Sequence, residues 1–202
     1  MTKLLLAAAA ILALAAPAAA QVFPSPEAIA NATKAGKWLH ADEVAGLMQS
    51  AEAWCYKEEN NTCDWSEIYL EVTLEPQGIT YESTNSWSDD KDVYFVDKAE
   101  FRDDRYVCEF GYDKVPSTRA TRSDGTPVGG RELNALRDEV AEGRAGAPDY
   151  CFDYTFGFYD PVRETISLTQ RQYLDGVVDP SKEASITLYF NAVDAVELKT
   201  KY

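Results

Sequence analysis

Apolar positions along this chain follow three rhythms in turn. A continuous apolar run from Leu4 to Ala15 follows Lys3. It is closed by Pro17 and the small-residue stretch Ala18-Ala19-Ala20 before Gln21. A short basic start, an apolar middle and a small-x-small end form a secretory signal peptide pattern over residues 1–20. The run is too short to span a bilayer core, which needs roughly 20 apolar residues. The expectation is cleavage, with no membrane insertion afterwards, and the Ala-rich leader suggests a bacterial exporter.

A helical rhythm follows. Ser25-Pro26-Glu27 offers an N-cap, a first-turn Pro and an acid at the positive end of the helix dipole. Ile29, Ala32 and Ala35 share a face, and Gly36 stops the helix. A second helix is predicted from Ala41 to about Trp54, with Val44, Leu47, Met48, Ala51 and Trp54 or Cys55 on one stripe.

Beyond Cys63 the period becomes two. Ile68, Leu70, Val72 and Leu74 alternate with Glu67, Tyr69, Glu71, Thr73 and Glu75, the pattern of a half-buried strand with the aliphatic face inward. Pro76-Gln77-Gly78 turns the chain into a return strand through Ile79, Tyr81 and Ser83. Further strands are predicted over Val93–Val96 and Tyr106–Tyr112, joined by the charged segment Asp97–Arg105. From about 113 to 149 the rhythm breaks into a polar loop and a helix, Arg131 to about Glu142, carrying Leu133, Leu136 and Val140. Strands resume with Tyr150, Phe152, Tyr154, Phe156 and Phe158 on one face, a row better explained as core than as a stacking surface. Asp160-Pro161 and Asp179-Pro180 read as turns, Ile166 with Leu168 and Ile186 with Phe190 as strands, and Val193–Leu198 as a last strand. The reading is α+β: an antiparallel meander of about six to eight strands, able to curl into a barrel, with two N-terminal helices and one inserted helix. Residues 21–202 form one domain, with the loop-helix insertion at about 113–149.

Four cysteines, Cys55, Cys63, Cys108 and Cys151, follow the leader. An even count in an exported chain reads as disulfides. Of three connectivities, 55–63 with 108–151 is favoured, closing one short loop and tying two strands across the insertion. The spacings are wrong for a four-cysteine metal site.

Charge narrows the functions. Thirty-four acids against nineteen bases give −15, and near −16 once Lys3 leaves with the leader. There is no basic excess for nucleic acid, and the attraction would be to a basic protein or peptide. The sole histidine, His40, sits in a helix junction without a nucleophile motif, so no catalytic residue is assigned. Gly125–Glu132 only approximates a phosphate loop, with Arg131 and Glu132 where Lys and a hydroxyl belong. Asp89–Asp92 lacks the glycine and terminal Glu of a calcium loop. No metal or cofactor is expected. The basic stretch Lys114, Arg119, Arg122 and Arg131 is a candidate anion site, with Arg119, Arg122 and Arg131 at its centre, set against plain pairing with the acidic bulk. The leading expectation is an exported, non-catalytic binding or interaction protein of the bacterial cell envelope, periplasmic or secreted. The alternatives are a carboxylate-based hydrolase of polysaccharide and a small-ligand carrier with a barrel-like sheet.

Overall fold

A computed structural model describes residues 22–201; the leader expected over 1–20 lies outside the described residues. In chain order come α1 (Pro26–Ala32), α2 (Ala41–Ser50), β1 (Ala53–Tyr56), β2 (Thr62–Cys63), β3 (Trp65–Leu74), β4 (Gln77–Ser88), β5 (Lys91–Arg102) and β6 (Tyr106–Glu109). Then follow β7 (Arg119–Arg122), α3 (Gly130–Arg144), β8 (Cys151–Asp160), β9 (Thr165–Leu174), β10 (Val177–Tyr189), α4 (Ala192–Val196) and β11 (Lys199–Thr200).

The large sheet runs β4-β3-β1-β10-β9-β8-β6-β5-β7, and β4 also pairs with β5. The pairings therefore close a ring of eight antiparallel strands: β1, β3, β4, β5, β6, β8, β9 and β10, with β10 returning to β1. Leaving aside the small β2 and the insertion, each strand neighbours the next in sequence. This is the meander expected above, curled until its ends meet. β7 lengthens the wall beside β5, and β2 pairs in parallel with β11 outside the ring.

Closure explains the inward side chains, which change character along each strand. β9 passes from Ile166 and Leu168 to Gln170 and Gln172, and β10 from Leu188 and Ile186 to Ala184. β5 passes from Phe101 and Ala99 to Asp97. One half of the interior is thus aliphatic and the other polar. The aliphatic half is filled by α2, whose Val44, Leu47 and Met48 are fully buried in one cluster with Leu39, Val72, Phe156 and Leu188. Gly46 lets α2 approach the N-terminal segment, because a Cβ there would meet the Pro24 carbonyl oxygen at 2.6 Å.

The thinnest part of the wall lies between β6 and β8, which share only two register pairs, Val107 with Phe152 and Cys108 with Cys151. The Cys108–Cys151 disulfide bonds one of those pairs directly, with Cα atoms 4.0 Å apart. Beyond it the segment 36–39 takes over the open edge of β8. Gly36 and Leu39 donate backbone N–H groups to Phe156 and Tyr154, and Phe156 donates to Lys37. The second disulfide is Cys55–Cys63. Both pairings are the ones favoured from spacing, and two such bonds mark an oxidising compartment outside the cytoplasm.

Several local expectations are corrected. α2 ends at Ser50, and Ala53–Tyr56 is a barrel strand rather than the end of a helix. In β3, Glu67 and Tyr69 point inward while Ile68 and Leu70 are 44% and 58% exposed. A bulge between Tyr69 and Glu71 adds one residue, and Val72 then faces the core. One extra residue exchanges the two faces of a strand. A similar shift between Phe156 and Tyr159 turns Phe158 outward, so the aromatic row is core only through Phe156. Asp97–Arg102 belongs to β5 and is not a connection. Asp179-Pro180 lies within β10 at a register irregularity, and residues 192–196 form α4 rather than a strand.

Candidate functional site

The polar half of the barrel holds a partly open cavity of about 480 Å³. Its walls are built by the alternation of the strands. β3 contributes Trp65, Glu67 and Tyr69; β4 contributes Tyr81, Ser83 and Asn85; β8 contributes Phe152 and Tyr154; and β9 contributes Gln170 and Gln172. Asp97 and Ala99 come from β5, Val107 and Glu109 from β6, and Ala184 from β10.

Three carboxylates line this space, and they are treated differently. Asp97, almost wholly buried, accepts from Lys114 Nζ at 2.5 Å. Glu109 accepts from Arg144 Nη2 at 3.1 Å. Both acids belong to the barrel, and both bases belong to the insertion: Lys114 just after its start, Arg144 in the last turn of α3. The insertion is held across this end of the barrel at two charged points. Its own small core, Ala120, Val128 and Leu136, packs on Val93, Phe95 and Trp87 of the β4–β5 wall. Trp87 Nε1 also donates to Glu139 of α3 at 2.8 Å.

Glu67 is the third carboxylate. Its Oε2 accepts from Tyr56 Oη at 2.7 Å and Tyr69 Oη at 2.9 Å. Among the described residues no basic side chain pairs with it. Burial pushes its pKa up to about 7, and the phenol hydrogen bonds only partly oppose that rise. Burial also raises Glu109, against the pull of Arg144. Around Glu67 stand the rings of Tyr56, Tyr69, Tyr81 and Tyr154, all with phenol pKa values pushed up by burial and by the Glu67 charge. Gln170 Nε2 donates to Tyr154 Oη at 3.3 Å. The result is one acid in a cage of aromatic rings and neutral hydrogen-bonding groups.

The anion-site candidates do not converge on an open cradle. Arg119 makes a two-pronged pair with Glu82, at 2.5 and 2.9 Å, and lies over the Tyr94 ring. Arg122 pairs with Glu132, while Arg131 stands exposed in the first turn of α3. His40 is exposed, with Nδ1 3.0 Å from Asp104 Oδ2 and its ring 4.4 Å from Trp38. Among the described residues no cluster of three metal-ligating side chains is present.

Glu67, Asp97, Glu109 and the tyrosines were missed because each acid sits in a segment whose plain sequence reading is a solvated face. The usable signal was parity: Tyr69 and Tyr81 are bulky rings on strand faces that also carry Glu67 and Asn85.

Compared with protein-family models, curated proteins and solved structures, the chain matches none.

Proposed function

We propose that this is an exported, non-catalytic binding protein, periplasmic or secreted, that holds one small polar ligand inside its barrel. The observation that carries the reading is the roughly 480 Å³ cavity lined by amides, hydroxyls, rings and carboxylates. Eight-stranded barrels have an interior either filled by side chains or able to hold one small ligand, and ligand pockets commonly span about 300–1,000 Å³. Here the aliphatic half is filled and the polar half is open. Retaining polar groups around a space costs stability unless a partner meets them.

The test is a cavity-filling variant. Ala184 is buried and lines the cavity, so Ala184→Trp places an indole in the ligand space. The neutral fluorophore prodan is expected to bind the parent protein with one-to-one stoichiometry and a blue-shifted emission. Ala184→Trp, with an unchanged circular dichroism spectrum, should lose that signal. Equal binding to both proteins, or none to the parent, overturns the reading.

A carboxylate-based hydrolase ranks second, favoured by the raised pKa values of Glu67 and Glu109 in one cavity. It ranks below binding because each carboxyl is already engaged, Glu109 by Arg144 and Glu67 by two phenols. Turnover of soluble polysaccharide fragments that disappears in Glu67→Gln would reverse that order.

A further inference from the structure

We propose that the ligand of this cavity is a monocation, an amine or quaternary ammonium seated against the Glu67 carboxylate within its ring of aromatic side chains. This rests on the reading that the cavity binds a small molecule, and names the class of molecule.

The argument begins with charge balance. Asp97 and Glu109 each have a resident base, Lys114 and Arg144. Glu67 has only neutral donors within hydrogen-bond reach, so among the described residues it is the acid of the cavity with which no base pairs directly. A half-buried carboxylate without a paired base is costly, and a bound cation would lower that cost. The surrounding groups point the same way. Tyr69, Tyr81 and Tyr154 line the space around Glu67, and the negative face of an aromatic ring attracts a cation; Trp65 is already stacked on Tyr56 and has Lys57 Nζ over its ring. A chain of net charge −15 also draws cations toward it by its long-range field.

The same inventory limits the ligand to one positive charge. Lys57, Lys114, Arg144 and Lys182 also line the cavity. A polyamine extending past Glu67 would meet them, whereas an uncharged or aromatic remainder would meet Phe152, Gln170 and Gln172. An anion would pair with Lys182 but would lie close to an acid that already resists ionisation.

Isothermal titration with three matched probes tests the inference: phenethylamine, 2-phenylethanol and phenylacetate. They are alike in size and differ in charge. At about pH 8 the amine is expected to bind the parent protein at least about tenfold more tightly than the alcohol, with phenylacetate weakest. Glu67→Gln should bring amine and alcohol within about twofold of each other, and Ala184→Trp should lose all three. In the parent protein the amine preference should shrink at about pH 5.5, as Glu67 takes up a proton. The groups nearest Glu67 are Tyr56, Tyr69, Tyr81, Tyr154 and Glu109, and Lys57, Asp97, Lys114, Arg144 and Lys182 line the same cavity. The tyrosines stay neutral across that range, and protonation of Glu109 acts in the same direction as protonation of Glu67. Equal binding of amine and alcohol to the parent, or a preference that survives Glu67→Gln, overturns the monocation inference while leaving the cavity reading intact. Loss of all three probes from the parent protein overturns both.

Discussion

Replacing Glu67 by Gln should make the unliganded protein more stable, and by an amount that depends on pH. In the fold the Glu67 carboxyl has a pKa of about 7, against 4.5 for an ordinary Glu. A carboxyl with a raised pKa binds its proton more tightly in the folded than in the unfolded chain. Its contribution to stability is therefore intact below the unfolded value and is lost as pH rises through the folded one. Each pKa unit corresponds to about 1.4 kcal/mol, so the full penalty of ionising Glu67 in the fold is about 3 kcal/mol. At about pH 5 most of that penalty is absent, leaving about 1 kcal/mol; by about pH 8 nearly all of it is present. Gln keeps an oxygen to accept from Tyr56 and Tyr69 but cannot ionise. Urea denaturation of parent and variant at the two pH values should show Glu67→Gln gaining about 2 kcal/mol more at the higher pH. A gain that is the same at both values, or a loss at the higher, would refute the claim that Glu67 is a half-buried acid without a paired base.

Removing the Cys108–Cys151 bridge with a double Ala substitution should cost about 4 kcal/mol, the loop-closure value for its separation of 43 residues; guanidinium denaturation checks it. Asp153 is fully buried and accepts from Arg105, Arg171 and Tyr173, tying β8 to β9 and to the turn before β6. Asp153→Ala removes the shared acceptor of two partly exposed guanidinium groups and should cost about 2 kcal/mol, measured as a shift in denaturation midpoint. The hydrogen bond to Asp104 raises the His40 pKa, so this exposed contact supports the fold at low pH and is lost as pH rises through the raised value. In Asp104→Asn, His40 should titrate lower by NMR; an unchanged midpoint would show that Asp104 is not the cause.

Much of the fold was legible in the sequence because period and punctuation agree along most of it. The switch from helical to alternating rhythm after Cys63, the glycine-bounded helix carrying Leu136 and Val140, and the hairpin through Ile166 and Leu168 all appear where local pattern places them. The failures in β3 and β5 share one cause. The side facing inward was judged by aliphatic content, whereas half of this interior is polar. In β3 that exchanged Glu67 and Tyr69 for Ile68 and Leu70. In β5 the strand was broken at Asp97, an acid that is buried and answered by Lys114 from seventeen residues away. Residues 53–56 were absorbed into α2 because Trp54 continues its stripe; only pairing with β10, far along the chain, makes them a strand. No local signal could have placed Glu67 in a ring of tyrosines drawn from four different strands.

The ring order also bears on how the chain can be made. Most of its joins link segments close in sequence, but the last, residues 53–56 against 186–189, unites the two extremes of the domain. Loop-closure entropy is greatest for that step. A product ending before β10 would leave β1 and β9 as bare edges, open to pairing with another copy. Truncation near the C-terminus should therefore yield aggregates rather than a smaller soluble barrel.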